Sequence, residues 1–160
     1  MTRRMWWSAF MISAALGLLI GAAPVQAQCT LYIFGGSGND MLTGTSGSDC
    51  IYGLGGADNI SGLDGNDTLD GGTENDTMNG GYGSDTMYGY TGSDDMAGGP
   101  QGDIMYGETE NDTVSGGPGN DSVYGGSGDD ILNGNDGTDY LDGESGTDTC
   151  STGETYVNCP

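Results

Sequence analysis

The sequence predicts an all-β fold, a solenoid of very short strands, and three observations predict it. From Gly35 to Ser151 the chain divides into thirteen nine-residue units with no insertion, from GGSGNDMLT to GESGTDTCS. Position 1 is Gly and position 6 is Asp in every unit, and position 4 is Gly in ten. Position 8 is Leu, Ile, Met, Val or Cys throughout. A fixed period of this kind marks a repeat architecture.

The elements follow in chain order. Residues 1–27 read as a secretory signal peptide. Arg3 and Arg4 precede an apolar run, and Val25-Gln26-Ala27 forms a small-residue cleavage site. The run is short for a transmembrane span. Residues 28–34 hold Leu31-Tyr32-Ile33-Phe34, an apolar strand expected to cap the array. Residues 152–160 hold Thr155-Tyr156-Val157, the opposite cap, because end repeats need covers. Four cysteines, Cys29, Cys50, Cys150 and Cys159, predict disulfides in a secreted chain. Of the three possible pairings, Cys29–Cys50 and Cys150–Cys159 would each staple one end.

Within the repeats, Gly at positions 1, 2 and 4 permits positive φ, so the backbone can bend tightly and aim carbonyls inward. Residues 7 to 9 then form a three-residue strand. Neighbours on a strand point to opposite faces, so position 8 faces a core while positions 7 and 9 face out. Strands this short are stable only when stacked. One apolar side chain per repeat makes a thin core, and an array of carboxylates repels itself. The fold therefore needs a further ligand. Met78, Met87, Met96 and Met105 occupy position 8 in four successive units, as adaptable core fillers rather than a soft-metal site.

Charge identifies the ligand. The chain has 24 Asp plus Glu, no His, and only two basic residues, both within the signal segment. Nucleic acid is excluded as a partner, since phosphate binding needs a basic footprint. An anionic membrane surface is disfavoured for the same reason. No Lys or His is present to act as a catalytic base and no Ser–His pair exists, so the chain is not expected to be an enzyme. Hard oxygen ligands without imidazole, beside Gly-rich loops, point to Ca²⁺.

The unit resembles the RTX family of haemolysin-type calcium-binding repeats, and the resemblance covers residues 35–151. It implies a parallel β-roll with two repeats per turn, repeats n and n+2 stacked, and calcium between stacked turns. The ligands it implies are the position-6 carboxylates: Asp40, Asp49, Asp58, Asp67, Asp76, Asp85, Asp94, Asp103, Asp112, Asp121, Asp130, Asp139 and Asp148. Seven odd and six even repeats leave at most eleven intervals for ions. Eleven ions would bring 22 positive charges against 24 carboxylates. Glu74, Gln101 and Glu110 replace the position-4 Gly, and either weaken those sites or add a ligand.

Stacking every eighteenth residue puts Tyr52, Tyr88, Tyr106 and Tyr124 in one outward column, interrupted by Asp70 and closed by Asp142. The column is either a platform for a cell-surface or matrix component or a cross-strand stack that stabilises the sheet. The expected function is a secreted structural or adhesive module that folds on extracellular calcium. Ice or mineral binding is an alternative, but outward position 7 of the odd repeats (Met41, Asn59, Thr77, Asp95, Thr113, Ile131, Thr149) is irregular. A glycan-acting enzyme with paired carboxylates is a further alternative. The Asn-x-Ser/Thr sequences at Asn59, Asn66, Asn75, Asn111 and Asn120 arise from the repeat itself.

Overall fold

One apolar residue in nine sets the strands, and the loops between them set the coil. The computed structural model describes residues 29–153 and 155–159; the expected signal peptide lies outside them. The strands are β1 (Leu31–Phe34), β2 (Met41–Thr43), β3 (Asp49–Gly55), β4 (Asn59–Asp64), β5 (Thr68–Thr73), β6 (Thr77–Tyr82), β7 (Thr86–Thr91), β8 (Asp95–Ala97), β9 (Ile104–Thr109), β10 (Thr113–Ser115), β11 (Ser122–Ser127), β12 (Ile131–Asn133), β13 (Tyr140–Ser145), β14 (Thr149–Ser151) and β15 (Thr155–Val157).

All pairings are parallel. The odd-numbered strands form an eight-stranded sheet in the order β1-β3-β5-β7-β9-β11-β13-β15, and the even-numbered ones form a seven-stranded sheet. The chain passes from one sheet to the other at every repeat, so this is a parallel β-roll with two repeats per coil. Register advances by eighteen residues, as in Ile51↔Leu69 and Leu69↔Met87.

Between the sheets lies a single line of side chains. Leu42, Ile51, Ile60, Leu69, Met78, Met87, Met96, Met105, Val114, Val123, Leu132 and Leu141 are buried, one from each of the first twelve repeats. Cys150, from the thirteenth, packs partly against them, and Ile33 of β1 does so at the other end. Each side chain meets its partner across the coil and its neighbours one strand away, about 4.8 Å along the axis. The four Met residues sit wholly inside this line.

The strands are longer than a three-residue reading expects. Seven of them run six residues and β3 runs seven, continuing from position 9 through positions 1 to 3 of the next repeat. The corner is therefore a bent strand whose ladder bonds persist, as in Leu54↔Gly72 and Gly55↔Thr73. Backbone groups at the corner find partners in the neighbouring coil, which satisfies them without a large core.

The ends differ from the middle. At the N-terminus β1 keeps the eighteen-residue step, with Ile33↔Ile51 and Phe34↔Tyr52. At the C-terminus β15 pairs with β13 at a step of fifteen, Leu141↔Tyr156, because three residues replace a six-residue loop. Disulfides join Cys29 to Cys50 and Cys150 to Cys159. Each ties an end segment to the outermost repeat of its side.

Candidate metal centre: the stacked aspartates

Position 6 is the last residue before the strand in every repeat but the second, where Asp49 opens β3, so its side chain enters the coil at the corner. Twelve of the thirteen position-6 aspartates, Asp49 through Asp148, are at most 3 % exposed, and Asp40 at the first loop is half-buried. The structure stacks them in two columns, one along each edge of the roll. The odd repeats supply Asp40, Asp58, Asp76, Asp94, Asp112, Asp130 and Asp148. The even repeats supply Asp49, Asp67, Asp85, Asp103, Asp121 and Asp139.

From Asp58 on, each carboxylate divides its two oxygens between two tasks. Oδ1 accepts a hydrogen bond from the backbone N–H of the aspartate one coil earlier. Asp58 N–H donates to Asp76 at 2.7 Å, Asp76 N–H to Asp94 at 2.8 Å, and Asp94 N–H to Asp112 at 2.8 Å. The even column repeats this, with Asp85 N–H to Asp103 at 2.8 Å. Oδ2 is different. In Asp58, Asp67, Asp76, Asp85, Asp94, Asp103, Asp112, Asp121, Asp130, Asp139 and Asp148 it is buried and has no hydrogen-bond partner. In the first coil it is bonded within its own loop, Asp40 to Gly36 N–H at 2.6 Å and Asp49 to Thr45 N–H at 2.5 Å.

A buried carboxylate oxygen without a donor is costly. Desolvation raises the affinity of these groups for protons. Burial pushes the carboxyls of Asp76, Asp103 and Asp112 up to about 7 and those of Asp67 and Asp121 up to about 6. The backbone N–H bond opposes this, and the charges of stacked neighbours add to it. Asp85, Asp94 and Asp130 move upward for the same main reason, burial.

The position-1 glycine explains where these oxygens point. A Cβ added to Gly89 would meet Oδ2 of Asp94 and the carbonyl oxygen of Gly107; at Gly107 it would meet Asp112 Oδ2 and the Gly125 carbonyl. The same convergence of carboxylate and next-coil carbonyl recurs at Gly53, Gly62, Gly80, Gly98, Gly116 and Gly125. Position 1 is therefore glycine for space. Positive φ belongs to positions 2 and 4 instead, as at Gly81 (103°) and Gly83 (135°). This corrects the expectation that all three glycines serve the bend. The empty place at position 1 gathers oxygens, all negative, with no cationic side chain among the described residues.

This donor set fits Ca²⁺, which takes six to eight oxygens from carboxylates, carbonyls and water. Carboxylates alone do not complete a shell, for no group of three or more His, Cys, Asp or Glu side chains gathers among the described residues. Stacked aspartates stand one strand apart, and backbone carbonyls must provide the rest.

Sequence reading missed a second ladder, at position 5. Asn66 Oδ1 accepts from Ser84 N–H at 3.0 Å, Asn75 from Ser93 at 3.1 Å, Asn111 from Asp129 at 2.9 Å and Asn120 from Thr138 at 3.0 Å. These bonds run toward the following coil, whereas the aspartate bonds run toward the preceding one. Recurrence of Asn before Asp in the motif was the available signal. It also shows that four of the five Asn-x-Ser/Thr asparagines are committed to the loops.

The tyrosine column is a stack. Tyr88 and Tyr106 lie 5.1 Å apart at 7°, Tyr106 and Tyr124 4.9 Å apart at 10°, and Phe34 lies on Tyr52 at 5.1 Å. The rings cover one another's faces and turn their edges to solvent.

A family model described as the RTX calcium-binding nonapeptide repeat, four copies, matches the chain at residues 34–69, 61–96, 70–105, 97–132 and 115–150. No curated protein and no solved structure matches the chain.

Proposed function

The chain belongs to the RTX calcium-binding nonapeptide-repeat family, and from that premise we propose that it is a secreted structural module whose roll closes on extracellular calcium. Eleven buried Oδ2 atoms without a donor carry this reading. Each faces the gap at a position-1 glycine, which in nine of the eleven also meets a backbone carbonyl of the next coil, and each would contribute to one ion between successive coils. Eleven is also the number of intervals between stacked loops. The position-6 aspartates are the proposed ligands, with the position-1 carbonyls as the nearest backbone oxygens.

Ca²⁺ would supply the positive charge that the folded chain lacks. Extracellular calcium modules bind at about 10⁻⁴–10⁻³ M, so such sites would stay empty in a cytosol and fill outside. Two disulfides agree with an oxidising location. An adhesive role would use the ring edges and hydroxyls of Tyr52, Tyr88, Tyr106 and Tyr124, since their stacking faces are taken up within the column.

The test is a calcium titration of the EDTA-stripped protein followed by far-UV circular dichroism, with Mg²⁺ as control. A steep transition to β structure with Ca²⁺ alone is expected. Full β structure without metal, or equal action of Mg²⁺, would overturn the proposal.

A further inference from the structure

We propose that the two Thr-Glu-Asn-Asp loops, residues 73–76 and 109–112, are protein-made clamps that order the middle of the roll at lower calcium than its ends. The inference rests on the calcium reading above and adds an order of assembly to it. Both loops occupy the same edge of the roll, two coils apart.

Position 4 holds positive φ in ten of the thirteen loops, which suits glycine. Glu74 and Glu110 hold φ of 73° and 74° there, a conformation that disfavours L side chains. Something must offset that strain. Oε2 of Glu74 accepts from Gly56 N–H at 2.8 Å and from the Thr73 hydroxyl at 2.7 Å. Oε2 of Glu110 accepts from Gly92 N–H at 3.0 Å and from the Thr109 hydroxyl at 2.6 Å. In ordinary loops the position-4 N–H donates to a backbone carbonyl one coil on, as Gly65 does to Tyr82 and Gly119 to Asp136, both at 2.7 Å. The glutamates replace that carbonyl with a side-chain oxygen that also accepts from the adjacent Thr hydroxyl, so one acceptor ties two donors.

Each clamp then reaches both ways. Glu74 and Asp76 bind the preceding loop at Gly56 and Asp58, while Asn75 binds the following loop at Ser93. Glu110 and Asp112 bind back to Gly92 and Asp94, and Asn111 binds forward to Asp129. The clamps meet at loop 92–94. Together they connect five consecutive loops along one edge, from Gly56 to Asp129, through protein donors and acceptors. The outer loops 36–40 and 143–148 have no such glutamate. On the opposite edge Gln101 Oε1 accepts from Gly83 N–H at 2.7 Å, so an uncharged amide makes the same link.

The experiment is hydrogen-exchange mass spectrometry of the full chain at stepped calcium concentrations. The wild type is compared with a Glu74→Gly, Glu110→Gly double variant and a Glu74→Gln, Glu110→Gln double variant. In the wild type, segments around Gly56 and Gly92 should gain protection at lower calcium than segments 36–40 and 143–148. The Gly variant should raise the calcium needed there about fivefold or more, while the Gln variant keeps the wild-type order. Glycine relieves the φ strain, so a Gly variant protected as well as the wild type overturns the clamp. A Gln variant that fails like the Gly variant also overturns it, and makes the glutamates cation ligands instead. Protection that ignores calcium in all three proteins would count against the calcium reading itself, and the order of assembly would fall with it.

Discussion

The backbone N–H of Asp76 donates to Oδ1 of Asp94 at 2.8 Å, and the other oxygen of Asp94 is buried with no donor at all. One carboxylate thus performs a structural bond and leaves a vacant acceptor beside the Gly107 carbonyl. Asp94→Asn separates the two tasks. The amide oxygen can keep the bond to Asp76, while the amide nitrogen replaces the orphaned oxygen with a donor. The variant should lose about one bound calcium by native mass spectrometry and weaken the adjoining site at least tenfold, ~1.4 kcal/mol. Its calcium-free form should be no less stable than wild type, since a buried charge has been removed. Unchanged stoichiometry would remove Asp94 from the ligand set.

The glycine gap makes a second prediction. Gly89 does not hold a positive φ, so Gly89→Ala is not opposed by backbone conformation. Its Cβ would instead enter the space between Asp94 Oδ2 and the Gly107 carbonyl. The variant should lower calcium stoichiometry and destabilise the loaded roll by roughly 1–3 kcal/mol, the usual range for overpacking. Gly38→Ala, where nothing lies within 4 Å of the added carbon, is the control and should be neutral within ~0.5 kcal/mol. Equal effects at the two positions would show that glycine content, not the gap, matters.

How much of this was legible in the sequence depends on what repeats. Leu69 and Met87 were readable as core because position 8 is apolar in every unit, and a strand of any length places it inward. The eighteen-residue stacking came from family resemblance, since a nine-residue period alone does not say how many units make a coil. The reason for the position-1 glycine was hidden. Gly89 is fixed by an aspartate five residues on and a carbonyl eighteen residues on, and only folding brings those together. Glycine at position 2 of several repeats signalled positive φ there, but not that Leu54, Leu63 and Tyr90 would hold it too. The fifteen-residue step to β15 was likewise unreadable, because Thr152-Gly153 closes a loop that the repeat period does not describe.

Proton binding should oppose calcium. In the fold, burial pushes the carboxyls of Asp76, Asp103 and Asp112 up to about 7, against about 3.9 in an unfolded chain. The fold then holds more protons than the unfolded state, so its stability falls as pH rises. That contribution is complete below pH ~4 and disappears as pH passes through 7. Without calcium, β structure should therefore be greater at pH 4 than at pH 8. With calcium the order reverses, because each ion must displace protons, and the titration midpoint should be lower at pH 8 than at pH 6. Circular dichroism at the two pH values, with and without EDTA, reads both arms. A calcium-free protein that is more structured at pH 8 would contradict the assignment of these carboxylates as buried acids.

The gap in the aromatic column offers the last prediction. Asp70 pairs with Tyr52 on one side and Tyr88 on the other, and it separates the Phe34–Tyr52 stack from the Tyr88–Tyr106–Tyr124 stack. Burial raises its pKa, so its charge is held at some cost. Asp70→Tyr would place a ring between two rings at the strand spacing that already gives centroids 4.9–5.1 Å apart. Aromatic pairs contribute about 0.5–1.5 kcal/mol beyond the area they bury, and the variant makes two of them. Thermal unfolding of the calcium-loaded protein should shift upward, while Tyr106→Ala, which removes two pairs, should shift it downward by a similar amount. Calcium stoichiometry should be unchanged in both, since position 9 lies on the outer face of the sheet whereas the position-6 carboxylates are buried at the corners. If Asp70→Tyr is destabilising although Tyr106→Ala also is, then the column does not stabilise by stacking alone, and Asp70 holds a role of its own on that face.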